Sequence, residues 1–136
     1  MGSGLITPKE AAQVLYRRRN ARKGLLAFTQ YTYAEYKADP VHTLIASTLD
    51  KVVEGEIKRL MIFAPPQHGK SHLTSVSLPA YWMGRRPNDP VLLTSYAASL
   101  AESKSRQARA VVESREHRFL FGAYASLGAP HVGTRS

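Results

Sequence analysis

The chain has 136 residues, 43% of them hydrophobic, a composition that excludes wholesale disorder and limits the chain to one domain. The 19 Lys and Arg residues outnumber the 10 Asp and Glu residues, and the net charge of +9 favours nucleic acid or an anionic membrane surface as a partner. The absence of cysteine excludes disulfide and thiol chemistry. No apolar run approaches the roughly 20 residues of a membrane-spanning helix, so we expect no segment that crosses a membrane. Of the two polyanionic partners we expect nucleic acid and not a membrane.

Residues 1–39 are predicted to form a basic helical arm and an aromatic segment. Thr7, with Glu10 three residues later, is typical of a capping box, and the helix is predicted to end near Lys23. Its basic face either contacts nucleic acid or another subunit, or is simply solvated. The candidate nucleic-acid contacts on it are Arg17, Arg18 and Arg19.

The aromatic segment, residues 28–36, is predicted to be irregular. One hypothesis is that its rings stack on adenine, and the alternative is that they fill the core. Asp39 followed by proline predicts the start of a second helix, whose apolar stripe continues to Val53 and whose end is marked by Gly55.

Residues 60–71 contain the motif on which the predictions of fold and function depend. The run 60–64 is apolar without alternation, which is typical of a strand covered on both faces. Two prolines follow, and G-K-S at 69–71 then opens a stretch with helical periodicity. This order of strand, loop and helix predicts a phosphate-binding loop. The strict pattern begins with glycine, whereas Ala64 occupies that position, so the alternative is a strand-to-helix turn with an exposed lysine.

The residue types of this loop suit the phosphates of a nucleotide. Unpaired backbone N–H groups at a helix N-terminus attract anions, and the donors from His68 onward are available because the prolines cannot donate. Gly69 permits close approach of the backbone. Lys70 supplies a positive charge for the β- and γ-phosphates, and the Ser71 hydroxyl is a ligand for Mg²⁺.

After the loop, a helix is predicted to kink at Pro79, and the apolar run 91–95 predicts a second buried strand. A long helix over 96–114, with Ser95 as its cap, carries Arg106 and Arg109, which either contact nucleic-acid phosphates or form a charged solvent face. The predicted fold class is therefore α/β. We expect an incomplete three-layer core of the P-loop NTPase type, in which N-terminal helices precede about two parallel strands joined by a crossover helix.

The sequence over 7–121 resembles the N-terminal ATPase segment of the large terminase subunits of tailed bacteriophages. The resemblance is carried by P-P-Q-H-G-K-S at 65–71, P-A-Y-W at 79–82 and S-Y at 95–96. In this family, alanine is tolerated at the first position of the loop. Large terminases are DNA-packaging motors in which an ATPase domain drives DNA into the procapsid and a nuclease domain cuts it.

The resemblance implies ATP and Mg²⁺ as cofactors, with Lys70 at the β- and γ-phosphates, Ser71 at the metal, and Gln67 and His68 in the loop. It implies double-stranded DNA, a small terminase subunit and a portal protein as partners, and assembly into a homo-oligomer. The implied location is the host cytoplasm, at the procapsid. Residues 40–121 would be a fragment of the P-loop core, and residues 122–136, which lack periodicity, are predicted to be an unstructured tail.

The sequence also departs from this family. The family's acidic pair at the end of an apolar strand is missing, since no Asp follows Asp89 and the last acids fall on predicted helices. The coupling motif and the nuclease domain are missing as well. Phosphoryl transfer needs positioning, metal and an oriented water together. We therefore expect a truncated motor segment that binds ATP phosphates through residues 64–71 without hydrolysing ATP. The alternatives are a non-catalytic basic nucleic-acid-binding module and another kind of P-loop NTPase.

Overall fold

The computed structural model describes residues 4–65 and 69–122, and within these ranges the chain consists of helices and irregular connections. The helices are α1 (Pro8–Ala21), α2 (Leu25–Thr32), α3 (Pro40–Val53), α4 (Lys70–His72), a π-helical segment (Leu73–Ser77), α5 (Leu78–Arg85), α6 (Ala98–Glu113) and α7 (Arg115–Phe121). The segments from α4 to α5 follow one another with helical dihedral angles at both junctions, so residues 70–85 form one continuous helical stretch.

Side-chain caps fix where α1 and α3 begin. The Thr7 hydroxyl accepts the N–H of Glu10 at 3.2 Å, and the Glu10 carboxylate accepts the N–H of Thr7 at 2.7 Å. At α3, the Asp39 carboxylate accepts the N–H of His42 at 3.0 Å, and Nδ1 of His42 accepts the N–H of Asp39 at 3.1 Å. Both starts are the ones that the sequence predicts, and they are confirmed.

The π-helical segment lies just before the proline at which the sequence predicts a kink. Pro79 has no N–H to donate to the preceding turn, and its ring crowds the carbonyl four residues earlier. A π-helical turn contains an extra residue relative to an α-helical turn and shifts the backbone hydrogen bonds of the helix by one position. The helical stretch therefore passes through Pro79 and continues to the end of α5.

The centre of the core is the α2 residue Phe28, which is fully buried. Its ring centroid lies 5.2 Å from that of Tyr81 in α5 and 6.0 Å from that of His117 in α7. Helix α2 contacts α1, α3, the π-helical segment, α5 and α7. The prediction that residues 28–36 are irregular is thus wrong as far as Thr32, because the apolar side chains of α2 are buried by five neighbouring elements.

The predicted α/β fold is wrong. Within the described residues there are helices but no β-strand, so there is no parallel sheet and no P-loop NTPase-type three-layer core. The backbone groups of residues 60–65 and 91–95 make no hydrogen bond to the backbone of another described residue. A strand exists only when a neighbour pairs with its N–H and C=O groups, and neither segment has such a neighbour.

The side chains of these two segments show the same lack of cover. Met61 is 81% exposed, Phe63 is 90% exposed and Leu92 is 87% exposed. The apolar runs were interpreted as buried strands because they are apolar on both faces, but no layer covers them in the described part of the chain. Residues 40–121 therefore contribute α3 to α7 to a helical body and form no sheet fragment.

The N-terminal arm is joined to α7 through the residue that follows α1. The Arg22 guanidinium, next to the end of α1, donates to the carbonyl oxygens of Leu120 at 2.8 Å and Phe119 at 3.1 Å. The predicted tail, apart from Gly122, lies outside the described residues. Among the helices that the structure describes, none is long and apolar enough to cross a lipid bilayer.

Candidate phosphate-binding site

The tripeptide at 69–71 lies at the beginning of the helical stretch 70–85. Gly69 is the N-cap and has a left-handed backbone with a φ of +95°, a conformation that favours glycine. Its carbonyl accepts the N–H of Leu73 at 3.1 Å, which is the first hydrogen bond of the helix. The N–H groups of Lys70, Ser71 and His72 precede this bond and have no partner within the helix. This end of the helix therefore presents backbone donors and a partial positive charge.

Two side chains from outside the loop pack against Gly69. The Tyr36 hydroxyl donates to the Gly69 carbonyl at 3.1 Å. A Cβ atom built on Gly69 would lie 3.2 Å from Cε2 of Tyr36 and 3.4 Å from Nε2 of His42. Burial, aided by the Asp39 carboxylate, raises the pKa of Tyr36, so the phenol keeps the proton that it donates. The start of the helix is thus fixed by contacts to Tyr36, which precedes α3, and to His42, in the first turn of α3.

His42 is only 4% exposed, and its two ring nitrogens have different environments. Nδ1 accepts the N–H of Asp39 at 3.1 Å and lies 3.1 Å from the Asp39 carboxylate. Nε2 is buried and has no hydrogen-bond partner among the described residues. The ring packs against Tyr36, with 5.6 Å between the centroids. A buried ring nitrogen without a described partner therefore lies beside Gly69.

A cavity of about 400 Å³ opens in front of this helix end. Its polar lining residues are Lys70, Ser71 and Thr74, and its other walls come from Ile45, Leu60, Ile62, Ala64 and Pro65. The Thr74 hydroxyl donates to the Lys70 carbonyl at 3.0 Å, whereas the Lys70 ammonium donates to the Pro65 carbonyl. The lysine thus already binds an oxygen acceptor across the mouth of the loop, and an anionic ligand would compete with that acceptor.

The structure brings together three of the five predicted phosphate contacts. Gly69, Lys70 and Ser71 lie at the same helix end, while Gln67 and His68 lie outside the described residues. Ser71, whose hydroxyl is predicted to bind Mg²⁺, lines the cavity. Within residues 4–65 and 69–122, no group of three or more His, Cys, Asp or Glu side chains could hold a metal ion by itself.

The predicted nucleic-acid contacts differ in their surroundings. Arg18 is engaged within the fold, since its Nε donates to the Tyr31 hydroxyl at 3.1 Å and its guanidinium lies 4.3 Å from the Phe119 ring centroid. On α6, Arg109 pairs with Glu113 at 3.0 Å. The other three predicted contacts are exposed and have no hydrogen bond or ion pair to another described residue; they are Arg17, Arg19 and Arg106.

The sequence does not predict which residues hold Gly69. Tyr36 belongs to the predicted aromatic segment, and no predicted site includes His42. The one local signal was that His42 occupies the third helical position after the Asp39 cap, where its side chain returns to the Asp39 N–H. Its contact with Gly69 depends on tertiary structure, which a local pattern does not reveal.

No family model, curated protein or solved structure matches this chain.

Proposed function

We propose that the chain binds the phosphate groups of ATP, with Mg²⁺, at the helix end formed by residues 69–71. On this proposal, it is the phosphate-binding segment of a DNA-packaging ATPase of the terminase type. The observation that carries the proposal is the joint placement of Lys70 and Ser71. Both follow a left-handed glycine, open a long helical stretch and line one cavity of about 400 Å³.

The chemistry of this placement is electrostatic. The free N–H groups of the first turn and the Lys70 ammonium together offer donors and positive charge to phosphate oxygens. A bound phosphate would replace the Pro65 carbonyl as the acceptor for Lys70, exchanging a neutral acceptor for a charged one. The Ser71 hydroxyl would then be a ligand for the Mg²⁺ that accompanies the phosphates.

Replacement of Lys70 tests the proposal. We expect Lys70→Ala to weaken ATP binding by about 10- to 100-fold, because a hydrogen bond to a charged group contributes about 1.5–3 kcal/mol. The affinity is measured by isothermal titration calorimetry with MgATP. Lys9→Ala, which removes an exposed lysine from the first turn of α1, is the matched control and should bind as the unaltered chain does. Unchanged affinity in Lys70→Ala, or an equal loss in Lys9→Ala, would contradict the proposal.

We propose double-stranded DNA as the second partner, bound through exposed basic residues of α1. The support is that Arg17 and Arg19, which flank Arg18 near the C-terminal end of α1, are exposed and have no carboxylate partner among the described residues. The net charge of +9 acts in the same direction. The salt dependence of DNA binding, treated in the Discussion, tests this part of the proposal.

A further inference from the structure

A second cavity, of about 80 Å³, shares Ser71 with the larger one but does not include Lys70. It is formed where three parts of the chain meet: the start of the helical stretch 70–85, the irregular segment 91–95, and α6. Its apolar walls come from Leu93, Leu100 and Ala101. Its polar lining residues are Lys104 and four that carry hydroxyl groups, Ser71, Ser75, Thr94 and Ser95.

These polar groups are not used by the fold. The four hydroxyls form no hydrogen bond with another described residue, and Lys104 forms no ion pair with a described carboxylate. Thr74, in the same turn of helix, is different because its hydroxyl already donates to the Lys70 carbonyl. Four residues with hydroxyl groups and one lysine therefore line a small cavity whose lining residues include no Asp or Glu.

These hydrogen-bond donors determine which class of ligand the cavity favours. Hydroxyl and ammonium groups converge on an oxyanion, whose several oxygens each accept hydrogen bonds. A volume of about 80 Å³ accommodates one tetrahedral oxyanion. We infer that the cavity lined by Lys104, Ser71, Ser75, Thr94 and Ser95 is a second anion subsite that binds a single phosphate group.

The phosphate group has two possible sources, and the subsite does not depend on which of them supplies it. It is either inorganic phosphate or the terminal phosphate of a nucleotide held at Lys70. Only the second case rests on the proposed function. Because Ser71 lines both cavities, a nucleotide bound in the larger one would have its outermost phosphate close to the smaller one.

A change in the pKa of His72 would report the binding of phosphate at this subsite. Burial lowers the pKa of His72, and the positive charge of Lys104 lowers it further. The other groups facing the ring are the phenols of Tyr33 and Tyr36, with centroids 5.0 Å and 6.0 Å away. A phosphate bound at Lys104 would offset the lysine charge, and the pKa of His72 would rise.

The test is an NMR titration of the His72 ring with inorganic phosphate, with chloride at the same ionic strength as reference. In the unaltered chain we expect a saturable change in the His72 signals and a rise in its pKa. Lys104→Met should raise the pKa of His72 without phosphate and weaken phosphate binding at least tenfold. Thr94→Val, which removes one hydroxyl at nearly constant volume, should weaken phosphate binding several-fold. Lys9→Met is the matched control and should respond as the unaltered chain does.

Nucleotide titrations separate the two sources. If the terminal phosphate of ATP occupies the subsite, Lys104→Met should weaken ATP binding more than ADP binding. Equal effects on both nucleotides, with the response to inorganic phosphate lost, would assign the subsite to free phosphate. The inference is overturned if Lys104→Met and Thr94→Val bind inorganic phosphate as the unaltered chain does, or if Lys9→Met loses the response equally. If Lys70→Ala does not affect ATP binding, the proposed function is refuted. The evidence for binding of inorganic phosphate at the Lys104 subsite would be unchanged.

Discussion

Gly69 shows how a single backbone conformation fixes the geometry of the candidate site. Its φ of +95° turns the chain into the helix, and its carbonyl accepts both the Leu73 N–H and the Tyr36 hydroxyl. The need for a glycine here could be predicted from the sequence, because the loop pattern demands close backbone approach. The contacts with Tyr36 and His42 could not, since these residues come from a distant part of the chain.

We expect Gly69→Ala to destabilise the fold by about 1–2 kcal/mol. A residue with a Cβ is strained at this positive φ, and the new methyl group would press on Tyr36 and His42. The free energy of unfolding is measured by urea denaturation. Gly4→Ala is the control, because nothing lies within 4 Å of a Cβ at that position. Equal stability of the two variants would show that the loop does not hold Gly69 in this conformation.

The packing of α5 on α7 depends on a second glycine. A Cβ built on Gly84 would collide with the ring of Phe121, at its inner atom as well as at its edge. The Phe121 ring also lies against the core, 6.1 Å from the Phe28 centroid and 5.0 Å from that of His117. The close approach of these two helices therefore requires a residue without a side chain at position 84.

Gly84→Ala has two opposing effects on the stability of the fold. Alanine in place of glycine within a helix gains about 1 kcal/mol of helix propensity. Overpacking typically costs about 1–3 kcal/mol, and here the whole ring must move, so we expect a net loss of stability of about 1 kcal/mol. A double-mutant cycle with Phe121→Ala, followed by urea denaturation, checks the cause. If the ring is the cause, Gly84→Ala should stabilise the Phe121→Ala background, whereas the same loss in both backgrounds would exclude this contact as the cause.

The sequence could predict those helix boundaries that are set by interactions between residues close together in the chain. The starts of α1 and α3 follow from side chains such as Thr7 and Asp39, which bond backbone groups only three residues away. The long helix predicted over 96–114 is present as α6, but it begins after Ala97 and has no side-chain cap, so the cap predicted at Ser95 is wrong. Strands were wrongly predicted because an apolar run reports hydrophobicity, while a strand needs a hydrogen-bonding partner that the run itself does not specify.

At the scale of the whole molecule, positive charge is the property that composition predicted and that the candidate sites share. Both proposed sites at the start of the helical stretch use a lysine, Lys70 in one and Lys104 in the other. On α1, the fold uses Arg18 internally and leaves Arg17 and Arg19 exposed. A count of basic residues in the sequence could not separate these roles, because the Arg18 contacts with Tyr31 and Phe119 exist only in the folded chain.

The exposed residues Arg17 and Arg19 on α1 give a quantitative prediction for DNA binding. Each phosphate neutralised by a basic side chain contributes about 0.9 to the slope of log affinity against log salt concentration for duplex DNA. We therefore expect the double variant Arg17→Gln/Arg19→Gln to bind more weakly at low salt and to reduce the magnitude of that slope by about 1.8. The measurement is fluorescence anisotropy with a labelled duplex over a range of salt concentrations.

A double variant with the same loss of charge separates contact from net charge. Lys51→Gln/Lys58→Gln removes two exposed lysines outside α1 and should leave the slope nearly unchanged. The stability of both double variants should be close to that of the unaltered chain, because none of the four side chains forms a hydrogen bond or an ion pair with another described residue. If both variants reduce the slope equally, the chain attracts DNA through its overall charge, and α1 is not the binding surface.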